Sequence, residues 1–226
     1  MTSVLVLTAV DVEARGLARH LGLARVPDRD WACYREGRLE IACVGPRAAR
    51  LSERLADDGP APALVVSAGA CGALAPALAA GALVVPEAVV VDGVRLALDP
   101  PPGLPVSGTL LSVASVVGTP TAKARLWMET GAVAVDMESG PIVAWARRRG
   151  MRVAVVRGVS DTAHEAVPAD LAALVEPGGR VRTASALRAV LARPRAATDA
   201  LALGRGTAAA LKSVAAALAT LLRTQR

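Results

Sequence analysis

Short apolar runs rich in valine, leucine and alanine recur along the chain and alternate with segments of helical periodicity. Such runs are typical of strands that are buried on both faces of a sheet. They predict strands at 4–7, 39–44, 63–67, 82–91, 110–113, 132–135 and 153–156. The spacing of Leu17 and Leu21 predicts a helix that begins at Asp11, and further helices are predicted at 48–55 and 141–149.

Buried strands that alternate with helices are characteristic of α/β proteins. No Ser/Gly/Pro-rich linker or block of charge divides the 226 residues. We therefore expect residues 1–226 to form a single domain, a three-layer α/β/α arrangement around a mixed, largely twisted central sheet. Residues 195–226 are expected to form a C-terminal helical segment.

The C-terminal helix has an apolar stripe formed by Leu211, Val214, Leu218, Leu221 and Leu222. One interpretation is that this stripe packs on the sheet. The other is that it borders the entrance for a lipid-like substrate or makes a weak contact with a membrane surface. The pattern alone leaves both interpretations open.

Residues 61–86 carry no charge and are long enough to cross a bilayer. Glycines and prolines interrupt this segment, and its β-branched residues cluster towards its two ends. A strand, a glycine loop and a second strand therefore fit the segment better than a membrane-spanning helix.

Composition excludes several classes of function. The net charge is +6, but 26 Lys+Arg residues include only two lysines, Lys123 and Lys212, a usage that indicates a compositional bias towards arginine. The basic residues are scattered and only 2% of residues are aromatic, so nucleic-acid binding is not expected. Three cysteines without a metal-ligand spacing predict a reduced, cytoplasmic protein with no metal and no cofactor.

Carboxylates follow three of the predicted strands. Glu13 follows the first strand, Asp136 and Glu138 follow the strand at 132–135, and Asp161 follows the strand that begins at 153. Ligands of α/β sheets bind at the carboxyl ends of strands, so these acids predict a site there. Each acid taken alone also fits a structural role at a helix N-terminus or in a loop.

Four sequence motifs carry a resemblance to a known family. They are AVDVEA at 9–14, SAGACGAL at 67–74, AVDMES at 134–139 and VVRGVSDTA at 155–163. In this order they resemble the purine nucleoside phosphorylase/uridine phosphorylase superfamily, in particular the branch of methylthioadenosine/S-adenosylhomocysteine nucleosidases. The segment PGGRVRTASALRAVLARP at 177–194 and the final helix resemble the hopanoid-associated phosphorylases.

The resemblance implies cleavage of the N-glycosidic bond between a purine and ribose, through a transition state that resembles an oxocarbenium ion. By motif, Asp161 resembles the acid that protonates the purine, and Ser160 would orient it. Glu138 resembles the glutamate that binds the ribose hydroxyls, Met137 would pack under the sugar, and Asp136 would have a supporting role. For proton donation, burial would have to keep Asp161 protonated near neutral pH.

The nucleophile is either water or phosphate. Glu13 stands where the nucleosidases place the glutamate that orients water, and its charge would repel phosphate. Ser67 and Ala70 stand where the phosphorylases have phosphate ligands, so hydrolysis is favoured. Phosphate remains open as a co-substrate, because the N–H groups of Ala70, Cys71 and Gly72 and the side chain of Arg47 are candidate ligands for it.

The nucleosidases of this branch commonly stack adenine on phenylalanine, and this chain has no phenylalanine. The corresponding segment, SVVGTPTAKAR at 115–125, offers valine, proline and lysine instead. This departure leaves room for another adenosyl compound, and the hopanoid resemblance suggests 5′-adenosylhopane. We expect a homo-oligomer, with a dimer favoured. A catalytically silent nucleoside-binding protein and a membrane-surface protein remain the alternative classes.

Overall fold

The computed structural model describes residues 3–55, 61–99, 101, 103–167, 176, 178–180 and 194–224, with side chains of the last segment from residue 201 onward. The strands are β1 (Val4–Thr8), β2 (Ala24–Arg25), β3 (Cys33–Glu36), β4 (Leu39–Cys43), β5 (Leu64–Ala73), β6 (Leu83–Val84), β7 (Ala88–Val91), β8 (Val94–Ala97), β9 (Thr109–Ser112), β10 (Ala134–Asp136) and β11 (Val153–Asp161). The helices are α1 (Asp11–Leu21), α2 (Leu51–Arg54), α3 (Pro120–Thr130), α4 (Ser139–Arg148) and α5 (Pro194–Thr224), and Pro46–Ala48 form a 3₁₀ turn.

One mixed sheet contains all of these strands, and β5 lies at its centre. The order is β2-β3-β4-β1-β5-β10-β9-β7-β8, and β11 pairs with β5 and β6. Strand β5 is parallel to β1 and to β11, whereas β10 runs antiparallel to the end of β5. The α/β class with a mixed central sheet is therefore confirmed.

Helices cover both faces of the sheet because the strands are apolar on both faces. On β1, Val4 and Val6 pack with residues of α1 and α5, whereas Leu5 and Leu7 pack on the opposite face with residues of α4. This alternation follows from the two-residue period of a strand. The result is the predicted arrangement of helix, sheet and helix.

Helix α5 lies directly on β11. Leu211, Val214, Leu218 and Leu221 are buried against the sheet, so the first interpretation of the apolar stripe is correct. Glycines allow the close approach: a Cβ atom at Gly206 would lie only 1.9 Å from the carbonyl oxygen of Ser160. Within the described part of the chain, no helix is long and apolar enough to cross a membrane.

Most predicted elements are present, but three predictions were wrong in detail. The predicted helix at 48–55 is a 3₁₀ turn followed by the single turn α2, because Arg47 and Ala48 both have a positive φ. The predicted strand at 82–91 is divided into β6 and β7 around Pro86, which has no N–H to donate. The glycine loop at 67–74 is instead the second half of β5. Strands β2, β3 and β8 and helix α3 were not predicted.

Candidate active site

A cavity of about 290 Å³ lies where β5, β10 and β11 end. Nine of the ten residues that the sequence nominated line it: Glu13, Ala70, Cys71, Gly72, Asp136, Met137, Glu138, Ser160 and Asp161. The tenth, Arg47, does not line the cavity. The rest of the wall is mainly apolar and includes Val113, Val116, Val117 and Leu203.

Glu13 connects α1 to the central strand. Glu13 lies in the first turn of α1. One of its carboxylate oxygens accepts hydrogen bonds from the N–H groups of Ala9 and Val10, just before the helix, at 3.0 and 3.3 Å. The other oxygen accepts the N–H of Ala70 on β5 at 2.8 Å. Burial raises the pKa of Glu13, while the positive charge of Arg157 opposes that shift. Glu13 is therefore both a helix-terminal acid and a member of the site.

Arg157, on β11, is the cation at the centre of the carboxylate cluster. It is fully buried and lies 2.7 Å from the carboxylate of Asp136. Its guanidinium also donates to the hydroxyls of Ser67, at 2.8 Å, and Ser139, at 3.1 Å. A weaker contact at 3.5 Å joins it to the carbonyl oxygen of Ala70. A buried charge requires partners of this kind.

Asp136 ends β10 and supports its neighbours. Its carboxylate accepts the N–H of Ser139 at 3.1 Å and also the hydroxyl of that serine. Together with the ion pair to Arg157, these bonds mean that the Asp136 carboxylate binds other protein groups. The supporting role proposed for Asp136 agrees with this geometry.

Glu138 lies at the N-terminus of α4, and its carboxylate accepts the backbone N–H of Arg47 at 3.0 Å. Burial raises the pKa of Glu138 to about 7, an effect that Arg157 opposes and Asp136 reinforces. The bond to Glu138 involves only the backbone of Arg47, whose side chain is exposed. Both Arg47 and Ala48 have left-handed φ angles, 55° and 54°, in the turn that aims this N–H.

Asp161 ends β11 next to a β-bulge. Val159 pairs with Cys71 and Asp161 pairs with Gly72, so Ser160 is the extra residue. Bulges redirect side chains and are frequent next to active sites. The Ser160 hydroxyl lies 2.6 Å from Asp161 Oδ1, as the sequence predicted for an orienting serine.

The second oxygen of Asp161 is held by a residue whose role the sequence did not reveal. Lys123 Nζ lies 2.6 Å from Asp161 Oδ2, and the lysine side chain is completely buried. Asp161 is therefore both buried and paired with a cation. The sequence placed Lys123 in the base-binding segment, but it does not line the cavity.

Sequence reasoning also missed Arg157 as a member of the site. A signal was available, because an arginine in the middle of an apolar strand requires a buried acceptor. Lys123 gave a weaker signal, since the other residues of its helix, α3, are exposed or only partly buried. Its importance arises from a contact with a residue 38 positions away.

Comparisons with known proteins agree with the fold. Residues 104–192 match the sequence model of the Phosphorylase superfamily. The chain has the phosphorylase-superfamily fold. A structure of Arabidopsis thaliana 5′-methylthioadenosine nucleosidase is 18% identical with a TM-score of 0.67, and the alignment covers 98% of this chain and 96% of that one. No curated protein matches the chain significantly.

Two further structures share the phosphorylase-superfamily fold. The 5′-methylthioadenosine/S-adenosylhomocysteine nucleosidase of Neisseria meningitidis, in complex with methylthio-immucillin-A, is 17% identical with a TM-score of 0.68, covering 99% of this chain and 100% of that one. Futalosine hydrolase of Helicobacter pylori is 14% identical with a TM-score of 0.68, covering 99% and 98%. At these identities the likeness establishes the fold, and the resemblance to the superfamily is confirmed.

Proposed function

We propose that the protein cleaves the N-glycosidic bond of an adenosyl-type nucleoside by hydrolysis and releases adenine. One observation carries this proposal: a carboxyl group with its own partners, Asp161, and a separate carboxylate cluster line the same small cavity. Glycosidic cleavage requires two such groups, because the leaving base gains electrons while the sugar gains positive charge.

Strand β5 sets the distance between the two halves of the cavity. Ala70 binds Glu13, and Gly72, two residues further along, adjoins Asp161 Oδ2. Two residues of a strand span about 6.6 Å. A purine near Gly72 and a ribose near Ala70 would therefore fit one nucleoside across this part of the cavity.

The carboxylates of Glu13 and Glu138 fit the sugar half. Both are buried, so when they are ionised their negative charge acts through a medium of low polarity on the developing cation. An attraction that grows as the sugar becomes positive lowers the barrier rather than merely tightening substrate binding. This assigns Glu138 to the ribose and Glu13 to the nucleophile, as the motif resemblance implies.

Three observations favour water over phosphate as the nucleophile. Glu13, Asp136 and Glu138 surround Arg157, so a phosphate dianion would enter a cluster rich in carboxylates. At 4 Å and an effective dielectric constant of 20, each like-charge pair costs about 4 kcal/mol. Arg157 already donates to Asp136, Ser67 and Ser139, and Arg47 lies outside the cavity wall.

The substrate proposal extends to 5′-adenosylhopane, on the resemblance of the tail to the hopanoid-associated group. Small-molecule cavities usually measure about 300–1,000 Å³, so a cavity of about 290 Å³ fits a nucleoside and leaves no room for a hopane. A large 5′ substituent would therefore have to leave the cavity along its apolar wall. Val116 and Leu203 belong to that wall, and Val116 is partly exposed.

The experiment is a panel of adenosyl nucleosides incubated with the protein in phosphate-free buffer and in buffer with inorganic phosphate. We expect free adenine and free ribose product without phosphate, at a rate that phosphate does not increase. Glu13→Gln should slow this reaction on the order of 100-fold. Glu129→Gln, a change at an exposed glutamate of α3, is the matched control and should retain full activity.

Three outcomes would contradict the proposal in whole or in part. A requirement for phosphate, with ribose 1-phosphate as product, would replace hydrolysis by phosphorolysis. Nucleoside binding without turnover of any panel member would instead identify a silent binding protein. A Glu13→Gln variant as active as Glu129→Gln would remove Glu13 from the mechanism.

A further inference from the structure

Lys123 is the one lysine of the chain that the fold buries, and it makes three hydrogen bonds. Its Nζ atom donates to Asp161 Oδ2 at 2.6 Å, to the carbonyl oxygen of Thr162 at 2.7 Å and to that of Glu165 at 2.9 Å. An ammonium group has three donors, so all of them are used. The side chain is 0% exposed, whereas Lys212 on α5 is exposed.

These bonds join two segments at the same end of the cavity. Lys123 lies in the first turns of α3, directly after the segment that contributes Val113, Val116 and Val117 to the cavity wall. Its first acceptor, Asp161, ends β11, and the other two, at 162 and 165, follow that strand. A further bond, from the N–H of Val167 to the carbonyl oxygen of Gly118, joins the same two segments.

The hydrogen bonds at Asp161 allow two protonation states without a broken bond. The Ser160 hydroxyl lies 2.6 Å from Asp161 Oδ1 and 3.1 Å from the carbonyl oxygen of Cys71, but it has one proton to donate. When Asp161 is ionised, the hydroxyl donates to Oδ1. When Oδ1 carries a proton, Asp161 donates to the hydroxyl, which then donates to Cys71.

We propose that Lys123 is a positioning residue that strengthens Asp161 as the acid for the departing base. This inference rests on the proposed glycosidic cleavage. The proton passes from the Asp161 carboxyl to a ring nitrogen of the base as the bond from base to sugar breaks, and the carboxylate that remains is stabilised by the adjacent ammonium group. Lys123 keeps its own protons throughout and also fixes the direction of the carboxyl group.

The charged and titratable groups near Asp161 are few in the described part of the chain. They are Lys123 from α3, Cys71 from β5 and Glu165 from the segment after β11. The nearest cavity-lining residues of α5, Leu203 and Thr207, do not titrate. Lys123 is thus the cation in direct contact with the acid.

Removal of the ammonium group should change activity in a characteristic way. In Lys123→Met, the carboxyl group should hold its proton to higher pH but transfer it less readily. We expect kcat for an adenosyl nucleoside to fall on the order of 10 to 100-fold, with little change in KM. The alkaline limb of the kcat profile should move to higher pH, because the ammonium group next to the carboxylate has been removed.

A change of leaving group separates proton donation from a purely structural role. A 4-nitrophenyl riboside releases 4-nitrophenolate, a stable anion that needs no proton as it leaves. Lys123→Met should therefore cleave this substrate within about twofold of the wild-type rate. Lys123→Arg keeps the positive charge and should retain the wild-type alkaline limb, with kcat reduced less than in Lys123→Met. Lys212→Met is the matched control and should behave as wild type in every assay.

The results separate this inference from the proposed function. A wild-type protein that cleaves no nucleoside would refute the proposed function itself. Equal losses on both leaving groups, or an unmoved alkaline limb in Lys123→Met, would reduce Lys123 to a structural residue. If Lys123→Met does not fold, the test is made with Lys123→Arg. An alkaline limb of Lys123→Arg that is displaced from that of the wild type overturns the inference, and an unchanged limb supports it.

Discussion

The raised pKa of Glu138 predicts a specific pH dependence of stability. The carboxyl group titrates near 4.5 in the unfolded chain and near 7 in the folded protein, because burial disfavours its charge. At 1.36 kcal/mol for each pH unit between these values, the folded state loses about 3 kcal/mol as Glu138 ionises. A neutral glutamine at this position cannot ionise, so Glu138→Gln should escape this loss.

The sign follows from proton binding. Between pH 4.5 and about 7 the folded protein holds a proton on Glu138 that the unfolded chain has released. Stability therefore falls as pH rises through this interval, and the contribution present below pH 4.5 is absent above about 7. Glu13, whose pKa burial also raises, contributes with the same sign in both proteins.

The assay is thermal unfolding of ligand-free wild type and Glu138→Gln from pH 4.5 to 8. For a chain of this size, 1 kcal/mol corresponds to about 2–4 °C in Tm, so the difference between the two proteins should change by roughly 6–12 °C across the range. Glu129→Gln, at an exposed position, should follow the wild type throughout. A constant difference between wild type and Glu138→Gln would refute the reasoning.

Two further predictions concern the acid and the packing of α5. Asp161→Asn should lose about 100 to 10,000-fold in adenine release, measured by absorbance, because an amide cannot donate the required proton; near-native turnover by the folded variant would remove Asp161 from the mechanism. Gly206→Ala should lower the unfolding free energy by on the order of 1–3 kcal/mol, since its Cβ would overlap the backbone of Ser160. Gly204→Ala, with open space around it, should instead stabilise α5 by about 0.5–1 kcal/mol in the same denaturant titration, and equal effects would contradict the packing argument.

The acids that line the cavity could be singled out from the sequence because their position depends on local features. Glu13, Asp136, Glu138 and Asp161 each lie at or just beyond the end of a strand, or in the first turn of the helix that follows one, and strand ends can be recognised from apolar runs. Parallel packing of β1 and β11 on β5 brings two of these ends together, whereas β10 joins them through antiparallel pairing with the end of β5. The α/β class was predictable for the same reason.

The cations were harder to predict because their partners are distant in the chain. Arg157 meets Ser67, 90 residues away, and Lys123 meets Asp161 across 38 residues. The glycine segment was misassigned for a related reason. A Cβ at Gly69 would lie 2.6 Å from Glu13 Oε1, so this glycine makes room for a side chain from another element and does not mark a loop.

The turn that carries Arg47 has a strained backbone, and this conformation positions the Arg47 N–H group. Adjacent non-glycine residues in the left-handed region cost on the order of 1–2 kcal/mol each, and glycine would remove much of that cost. The same conformation directs the Arg47 N–H at Glu138, and a glycine turn would hold that donor less firmly. Engineering for heat resistance that replaced Arg47 and Ala48 by glycine would thus relax the strained backbone while loosening a support of the Glu138 carboxylate, which we propose binds ribose.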